Sequence, residues 1–450
     1  MPRMNASDAQ MLWMSAKIPS DQFLLFCFDG AVGAAADVRA TVVARAHTID
    51  TLQLKCREVP FSLDYPIWVP MAVTPAHVVD HRLPSARWVD CRSAIEKLIT
   101  TAVDVHDTPW LVHIFGPVSD APRCGESALV IVLQISHALV DGRGASDVAR
   151  ALFGTDDREQ QSPPRRSRTW HWQARFPVVP AVAGFPGRLV SLVRRGRTAQ
   201  RASVRLDRDT NAGLVPGPTH GRTRLPINSP PGERRSVRPI VCEASNLRRD
   251  GVTVTAGALT AVSSALARYL EHHGHDVPGD LSAETTLGKD TAMSANNFRN
   301  GCVDLHPRVT DLVERARAIT ESMGERRRRF AHPAFAAADR ATELVPAPLM
   351  KWGIRQFDAN AVPERVTGHT VLSSVNRGRA DLMAGGGTVA WTAGFPALSP
   401  VMGLTHGVHG IGDTVTLTIV TSPAVMPDVD FYEHLLRAAV SDVERAFRAT

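Results

Sequence analysis

The residues in this chain best equipped to do chemistry lie together at Ser136-His137-Ala138-Leu139-Val140-Asp141-Gly142. A neutral imidazole titrates near neutrality, so a histidine held in one orientation can take a proton from a hydroxyl, an amine or a thiol. The sequence around His137 supplies that rigidity. Residues 128–135 form an almost unbroken apolar run, the pattern of a strand buried on both faces. Residues 143–153 then carry apolar positions at helical spacing, so the unit reads as strand, tight turn, helix. Asp141 is too near His137 along the chain to be needed as a second base. It is expected to brace the loop through an arginine or backbone N–H groups, with Gly142 supplying a conformation that a Cβ would resist. Taken alone, the same residues also fit a solvated loop histidine beside a common Asp-Gly turn.

A wider pattern favours the chemical reading. Ser136 to Gly142 resembles the His-His-x-x-x-Asp-Gly signature of the chloramphenicol acetyltransferase-like superfamily, which includes peptide-synthetase condensation domains. The nearest pattern is that of the bacterial wax ester synthase/diacylglycerol acyltransferase family. Ser7-Asp8-Ala9 before Trp13 resembles that family's opening, and Thr108-Pro109-Trp110 stands where it often has Pro-Leu-Trp. Residues 252–259 and 265–270 resemble the helix that opens the second half, and 371–376 a late strand facing the site. Two departures are plain: the first histidine of the signature is Ser136, and the Asn-Asp before the second-half helix is Thr255-Ala256.

The resemblance implies two α/β sandwich domains with mainly antiparallel or mixed sheets, meeting at a cleft or tunnel. It implies transfer of a fatty acyl group from acyl-CoA to an alcohol, a diacylglycerol or a long-chain alcohol, with His137 as general base. Asp141 and Gly142 would hold the loop. Ser374 or Asn376 would donate to the oxyanion, and Ser136 is a further substrate-binding candidate. Acyl-CoA enters as a substrate, and neither a cofactor nor a metal is expected. Two alternatives stay open: an acyltransferase of the same superfamily acting on an amine or a carrier-protein-bound acyl group, and a non-catalytic relative that binds lipid or acyl-CoA.

The elements that must position these residues can be read in outline. In the first half, 7–14 reads as a helix capped by Ser7, 22–28 as a buried strand, and 31–46 and 90–103 as helices. Residues 52–56 and 67–69 are short strands, and 110–115 with 128–135 form an antiparallel hairpin that delivers His137 to a sheet edge. In the second half, 237–244, 369–375, 388–392 and 413–421 are strands, while 253–270, 311–330 and 430–447 are helices. His406 and His409 fall in a Gly-rich loop and form a weaker candidate pair. Residues 346–357, with Trp352 between Lys351 and Arg355, would line an acyl channel or the core.

With 450 residues the chain exceeds one ordinary core. The expected division is 1–160, a basic Pro/Arg-rich connecting segment over 161–235, and 236–450. That segment carries Trp170-His171-Trp172, residues 176–180, and aliphatic positions 185–193 among arginines. It reads as a linker packed on both halves or as a surface that meets a lipid headgroup region. A net charge of +6 favours anionic partners. No zinc-finger, RRM or KH-like spacing points to nucleic acid, so coenzyme A phosphates and anionic lipid are the expected partners.

The six cysteines show no C-x-x-C spacing, against both a disulfide framework and a zinc site. His272-His273-Gly274-His275 lacks acidic or sulfur partners that would complete a metal site. Arg326 to Arg329 point all round a helix, so some must be solvated; the reading is a solvated face or one or two arginines meeting a coenzyme A phosphate. No spanning segment and no secretory signal are seen, so the expectation is a cytoplasmic protein, peripheral to membrane at most.

Overall fold

In a computed structural model the chain is described over residues 3–31, 33, 35–155, 185–288 and 298–449, excepting the side chains of 185–190. The first part forms α1 (Ala6–Ser15), β1 (Gln22–Asp29), α2 (Ala35–Ala46), β2 (Leu54–Arg57), β3 (Ile67–Pro70), β4 (Val78–His81), α3 (Trp88–Leu98), β5 (Trp110–Val118), β6 (Ala128–Ile135) and α4 (Gly142–Phe153). After α5 (Phe185–Asn211) come β7 (Arg222–Thr223), β8 (Ser236–Glu243), α6 (Val254–His272), β9 (Ser282–Gly288), β10 (Phe298–Asp304), α7 (Leu312–Phe330), α8 (Pro333–Thr342) and α9 (Ala347–Gln356). The chain closes through β11 (Arg365–Val366), β12 (Thr370–Asn376), β13 (Met383–Ala384), β14 (Gly387–Gly394), β15 (Thr405–Ile411), β16 (Thr414–Thr421) and α10 (Val429–Arg448).

Two six-stranded sheets carry the fold, in the orders β13-β14-β1-β6-β5-β4 and β10-β9-β12-β15-β16-β8. Both are mixed. In the first, β4 pairs parallel with β5 and the other pairings are antiparallel; in the second, β12 runs parallel to β9 and β15. β6 is fully buried because both of its faces are covered. Leu129, Ile131, Leu133 and Ile135 enter a core with Phe26 and Trp110, while Val130 and Val132 enter another with Trp391, Val237 and Val420. That second cluster joins the two sheets, since Val237 and Val420 belong to β8 and β16. β13 and β14, from the later part of the sequence, hydrogen-bond into the first sheet, with Leu24 opposite Gly394.

Several elements differ from the sequence expectation for definable reasons. The hairpin of β5 and β6 forms, but β6 is an interior strand, so His137 leaves the middle of the sheet's end rather than an edge strand. α1 is not capped by Ser7. Its first N–H groups, from Ala6 and Ser7, donate to the Glu343 carboxylate at 2.8 and 3.3 Å, a contact from 336 residues or more away. α3 ends at Leu98, short of 103. His406 and His409 lie in strand β15, not in a loop. Its Gly407 approaches β14 so closely that a Cβ would fall 2.5 Å from the Gly394 carbonyl oxygen. β9 and β10 depart from the sequence expectation because SAETTLG and FRNGCVD are short and carry few large apolar residues, although β9 alternates in burial.

Within the connecting segment, 156–184 lie outside the described residues, including Trp170-His171-Trp172 and 176–180. Its later part is the 27-residue helix α5. In the arginine run on α7, Arg327 and Arg328 are exposed, while Arg326 donates to the Gly217 carbonyl at 2.9 Å and Arg329 to that of Pro216 at 2.6 Å. His273 meets Asp428 at 3.0 Å and packs on Tyr269. No helix among the described residues is long and apolar enough to cross a membrane.

Two histidines buried by the fold set a pH dependence. Burial pushes the His406 ring, bonded to Thr370 Oγ1 and Tyr432 Oη, down to about 3, and the His113 ring down to about 4. Below pH 6.5 the unfolded chain therefore binds protons that the folded chain refuses. Stability is complete above that pH and falls on acidification toward pH 4, by about 1.4 kcal/mol per pH unit for each ring. Denaturant titrations between pH 7 and 5 should show this slope, and His406→Gln should lower it by the share of one ring.

Candidate active site

His137 stands two residues beyond the end of β6, and several backbone groups of its turn have fixed partners. The Ser136 N–H donates to the Pro109 carbonyl at 3.0 Å, which gives Thr108-Pro109-Trp110 a role as the buttress of this turn. Trp110 is anchored in turn by its indole N–H to the Leu52 carbonyl at 2.9 Å. The Gln22 amide donates to the Val140 carbonyl at 2.6 Å. From across the junction, Phe298 at the start of β10 places its ring 5.7 Å from the His137 ring. The imidazole is therefore half-buried where the two sheets meet.

Asp141 is the N-cap of α4. One carboxylate oxygen accepts from the Arg143 N–H at 3.1 Å and the Gly144 N–H at 2.9 Å, satisfying two orphan donors of the first turn. Backbone N–H groups thus brace the loop. Gly142 needs correction. It is the first residue of α4 and is absent from the positive-φ positions, so no Cβ-resisting conformation is involved. A Cβ there would stand 3.5 Å from Val375 and 3.7 Å from Gln22, ordinary contacts. Further along α4, Arg150 donates to the carbonyls of Arg377 and Arg379 and pairs with Asp381 at 2.7 Å, tying the helix to the loop after β12.

The register of β12 decides which of its residues faces what. Alternate side chains take opposite faces of a strand. Val375 is the residue turned toward Gly142, so Ser374 and Asn376 face the other way. The Ser374 hydroxyl lies 2.9 Å from that of Thr255, in the first turn of α6, whose N-cap is Thr253. Asn376 is exposed, and its carbonyl oxygen accepts from the Gly378 N–H at 3.0 Å. Ser136 accepts from the Ala138 N–H at 3.3 Å. His406 is enclosed by Thr370 and Tyr432, and His409 packs against Gly394; burial holds both rings far below the usual imidazole range.

A cavity of about 470 Å³ opens beside Ser136, the residue before His137. Ser136 and Asp21 lie on its wall with Trp13 and Val105, and Lys351 and Arg355 of α9 complete it. Lys351 pairs with Glu58 at 3.2 Å and stands over the Trp13 ring.

A chain of buried polar side chains ends at the same place. His81 Nε2 lies 2.9 Å from His113 Nδ1, His113 Nε2 lies 3.1 Å from Gln134 Oε1, and Gln134 Nε2 lies 2.8 Å from Asp21 Oδ2. Because a carboxylate only accepts, the Gln134 amide must donate to it. Its oxygen therefore accepts from His113 Nε2–H, which leaves His113 Nδ1 to accept from His81. Burial pushes both rings down, keeping them neutral as this chain of donors requires. None of these four was singled out from the sequence. The available signal was Gln134, the single polar residue inside the apolar run.

Comparison with known proteins follows the same geometry. Residues 4–255 match the family model "wax ester synthase/diacylglycerol acyltransferase catalytic domain", and residues 295–443 match "WS/DGAT C-terminal domain". Among solved structures, the wax ester synthase/diacylglycerol acyltransferase from Marinobacter aquaeolei VT8 is similar over 99% of this chain and 100% of that one, with a TM-score of 0.63 at 18% identity. Trichothecene 15-O-acetyltransferase from Fusarium sporotrichioides is similar over 98% and 94%, at 0.57 and 12%. The starter condensation domain of rhizomide synthetase, solved with C8-CoA and Leu-SNAC, is similar over 99% and 94%, at 0.56 and 11%. At these identities the likeness is one of fold, the two-sheet architecture expected from the sequence. Comparison with curated protein sequences gives no match.

The capping geometry makes a direct prediction. Asp141→Ala removes the acceptor for two helix N–H groups and should cost about 1–2 kcal/mol of unfolding free energy, whereas Asp141→Asn should cost little. Chemical denaturation of the two variants checks it.

Proposed function

The chain belongs to the wax ester synthase/diacylglycerol acyltransferase family and is an acyl-CoA-dependent O-acyltransferase, and we propose that His137 is its general base and a hydroxyl-bearing lipid its acceptor. That acceptor is a diacylglycerol or a long-chain alcohol. One observation carries the assignment of the base: the His137 ring stands half-buried at the junction of the two sheets, against Phe298 of the second. A site between two halves lets two large substrates arrive from different sides.

In this reading the imidazole takes the proton as the acceptor oxygen attacks the thioester carbon. The tetrahedral oxyanion collapses, the carbon–sulfur bond breaks, and the proton passes to the leaving thiolate, giving the ester and free coenzyme A. No acyl-enzyme and no resident cofactor are required. The oxyanion is met by the Thr255–Ser374 hydroxyl pair, because one hydroxyl donating to the other leaves a proton free, at the positive end of α6. Asn376, whose side-chain oxygen accepts from the Gly378 N–H, keeps its amide NH2 as the alternative donor. Ser136 replaces a histidine without removing the base, and its hydroxyl accepts from the Ala138 N–H.

The acceptor chemistry also favours contact with a lipid surface. Phe61 is 91% exposed on a left-handed backbone (φ 55°) that bulky residues seldom adopt, and Leu349, Trp352 and Phe357 on and beside α9 are exposed as well. Lys351 and Arg355 of the same helix stand at the cavity. Such an apolar and cationic surface suits peripheral binding to anionic lipid.

Labelled acyl-CoAs offered with alcohols, diacylglycerols and amines test the reaction. Ester formation should appear, and His137→Ala should lower it by about 10²–10⁴-fold while the protein stays folded. Amide formation, or unchanged turnover in the variant, would overturn the reading. The Phe61→Glu/Trp352→Glu double variant should lose sedimentation with anionic vesicles and keep turnover of short, water-soluble substrates.

A further inference from the structure

Six cysteines are spread through the chain, all of them free thiols, and two of them meet. Cys27, fully buried on β1, has its sulfur 3.4 Å from that of Cys124, although 97 residues separate the two. Cys27 lies on an interior strand, opposite Trp391 of β14 on one side and Val130 of β6 on the other, so backbone pairing on both sides fixes it. Cys124 belongs to the connection 119–127 between β5 and β6 and is half-buried. That connection is folded onto the end of β1: the Gly125 N–H donates to the Asp29 carboxylate at 2.8 Å, and the Gly30 N–H to the Ser127 carbonyl at 3.2 Å. Its Arg123 pairs with Glu243 of β8, in the second sheet.

The two thiols are unequal. Hydrogen bonding from Cys27 holds the Cys124 thiol below its ordinary range, against burial and the Asp29 charge. The same bond, with burial behind it, pushes the Cys27 thiol well up. A half-exposed sulfur with thiolate character is the one an oxidant attacks, and a neighbouring thiol within contact is placed to resolve the product.

We propose that Cys27 and Cys124 form an oxidation site, at which a hydroperoxide converts the two thiols to a reversible disulfide that locks the β5–β6 connection onto β1. The Cys124 thiolate attacks the O–O bond; one oxygen stays on sulfur as a sulfenic acid, and the other leaves as hydroxide and takes up the proton the thiol had released. The Cys27 sulfur then displaces the sulfenic oxygen, which leaves with the Cys27 proton as a second water. Two thiols and one peroxide thus give one disulfide and two waters. An S–S bond is about 2.05 Å long, so the sulfurs close by about 1.4 Å. A surface connection can supply that displacement while β1 stays paired. The remaining thiols are poorer partners. Cys91 of α3 shares the apolar cluster of Cys27 but is fully buried, and burial pushes its thiol up. Burial does the same to Cys56, Cys242 and Cys302.

The test treats the reduced, folded full chain with a small excess of hydrogen peroxide, then denatures it and alkylates the remaining thiols. Four of the six cysteines should alkylate, and all six again after reduction with dithiothreitol. Cleavage after lysine and arginine puts Cys27 in the peptide 18–39, Cys91 in 88–92 and Cys124 in 124–143, so the joined pair is read directly. The expected species is 18–39 linked to 124–143. The oxidised protein should also unfold at a higher temperature than the reduced one, because the cross-link closes a long loop in the unfolded chain. Cys124→Ser, at the half-exposed position, should leave every remaining thiol open to alkylation after peroxide and the unfolding temperature unmoved. Six alkylated thiols after peroxide, a link through Cys91, or Cys124 carried on to the sulfinic acid with Cys27 untouched would each overturn the proposal. A Cys27–Cys124 link that leaves the unfolding temperature unchanged would overturn the lock.

Discussion

The arrangement depends on a strand that crosses from one half of the molecule to the other. β14 comes late in the chain yet completes the first sheet beside β1, with Leu24 opposite Gly394 and Phe26 opposite Thr392. Thr392 is fixed twice, donating to the Leu25 carbonyl at 2.7 Å and accepting from the Arg377 guanidinium at 2.8 Å. Arg377 follows β12 of the second sheet, so one short network ties both sheets to one point. Gly394 and Gly407 let β14 and β15 approach there, since a Cβ on either would collide with the facing strand or with His409. A histidine leaving the end of β6 therefore faces a partner surface whose position is set by backbone pairing, not by loose domain contact.

Rigidity at this junction has a chemical use. General-base catalysis needs the proton acceptor within hydrogen-bond reach of the reacting hydroxyl, and small displacements are expensive. The turn after β6 is held by Pro109, Gln22 and the Asp141 cap, each through a separate hydrogen bond. What remains free to vary is the surrounding cavity. Acyl and acceptor preference would then change through residues such as Trp13 and Ile354 while the His137 turn stays put.

The sequence was most legible where one signal was strong and local. The apolar run of β6, its abrupt polar end and the helical spacing after it placed His137 at the end of a buried strand and gave Asp141 its loop-bracing part, because burial on both faces and local side-chain to backbone bonds are decided within a few residues. It was least legible where a partner is distant in sequence. Glu343 closing the first turn of α1, β14 entering the first sheet and Asp21 reaching Gln134 all depend on pairings over about a hundred residues or more. β15 was hidden for another reason: glycine and histidine are poor strand signals, and here they serve close approach to β14. At Ser374 the residue type was informative but its parity was not. A one-residue difference in register exchanges the face toward Gly142 for the face toward α6.

The central claim is that the imidazole of His137 is where the two reactants meet. The most direct measurement is a crystal structure with a non-hydrolysable thioether analogue of an acyl-CoA and a long-chain alcohol bound together. The account predicts the alcohol oxygen at about 2.6–3.2 Å from the His137 ring, with the carbon that stands for the thioester carbonyl within contact of that oxygen. Both ligands bound at a distance from the ring, or a ring turned from them and packed on Phe298 alone, would contradict it.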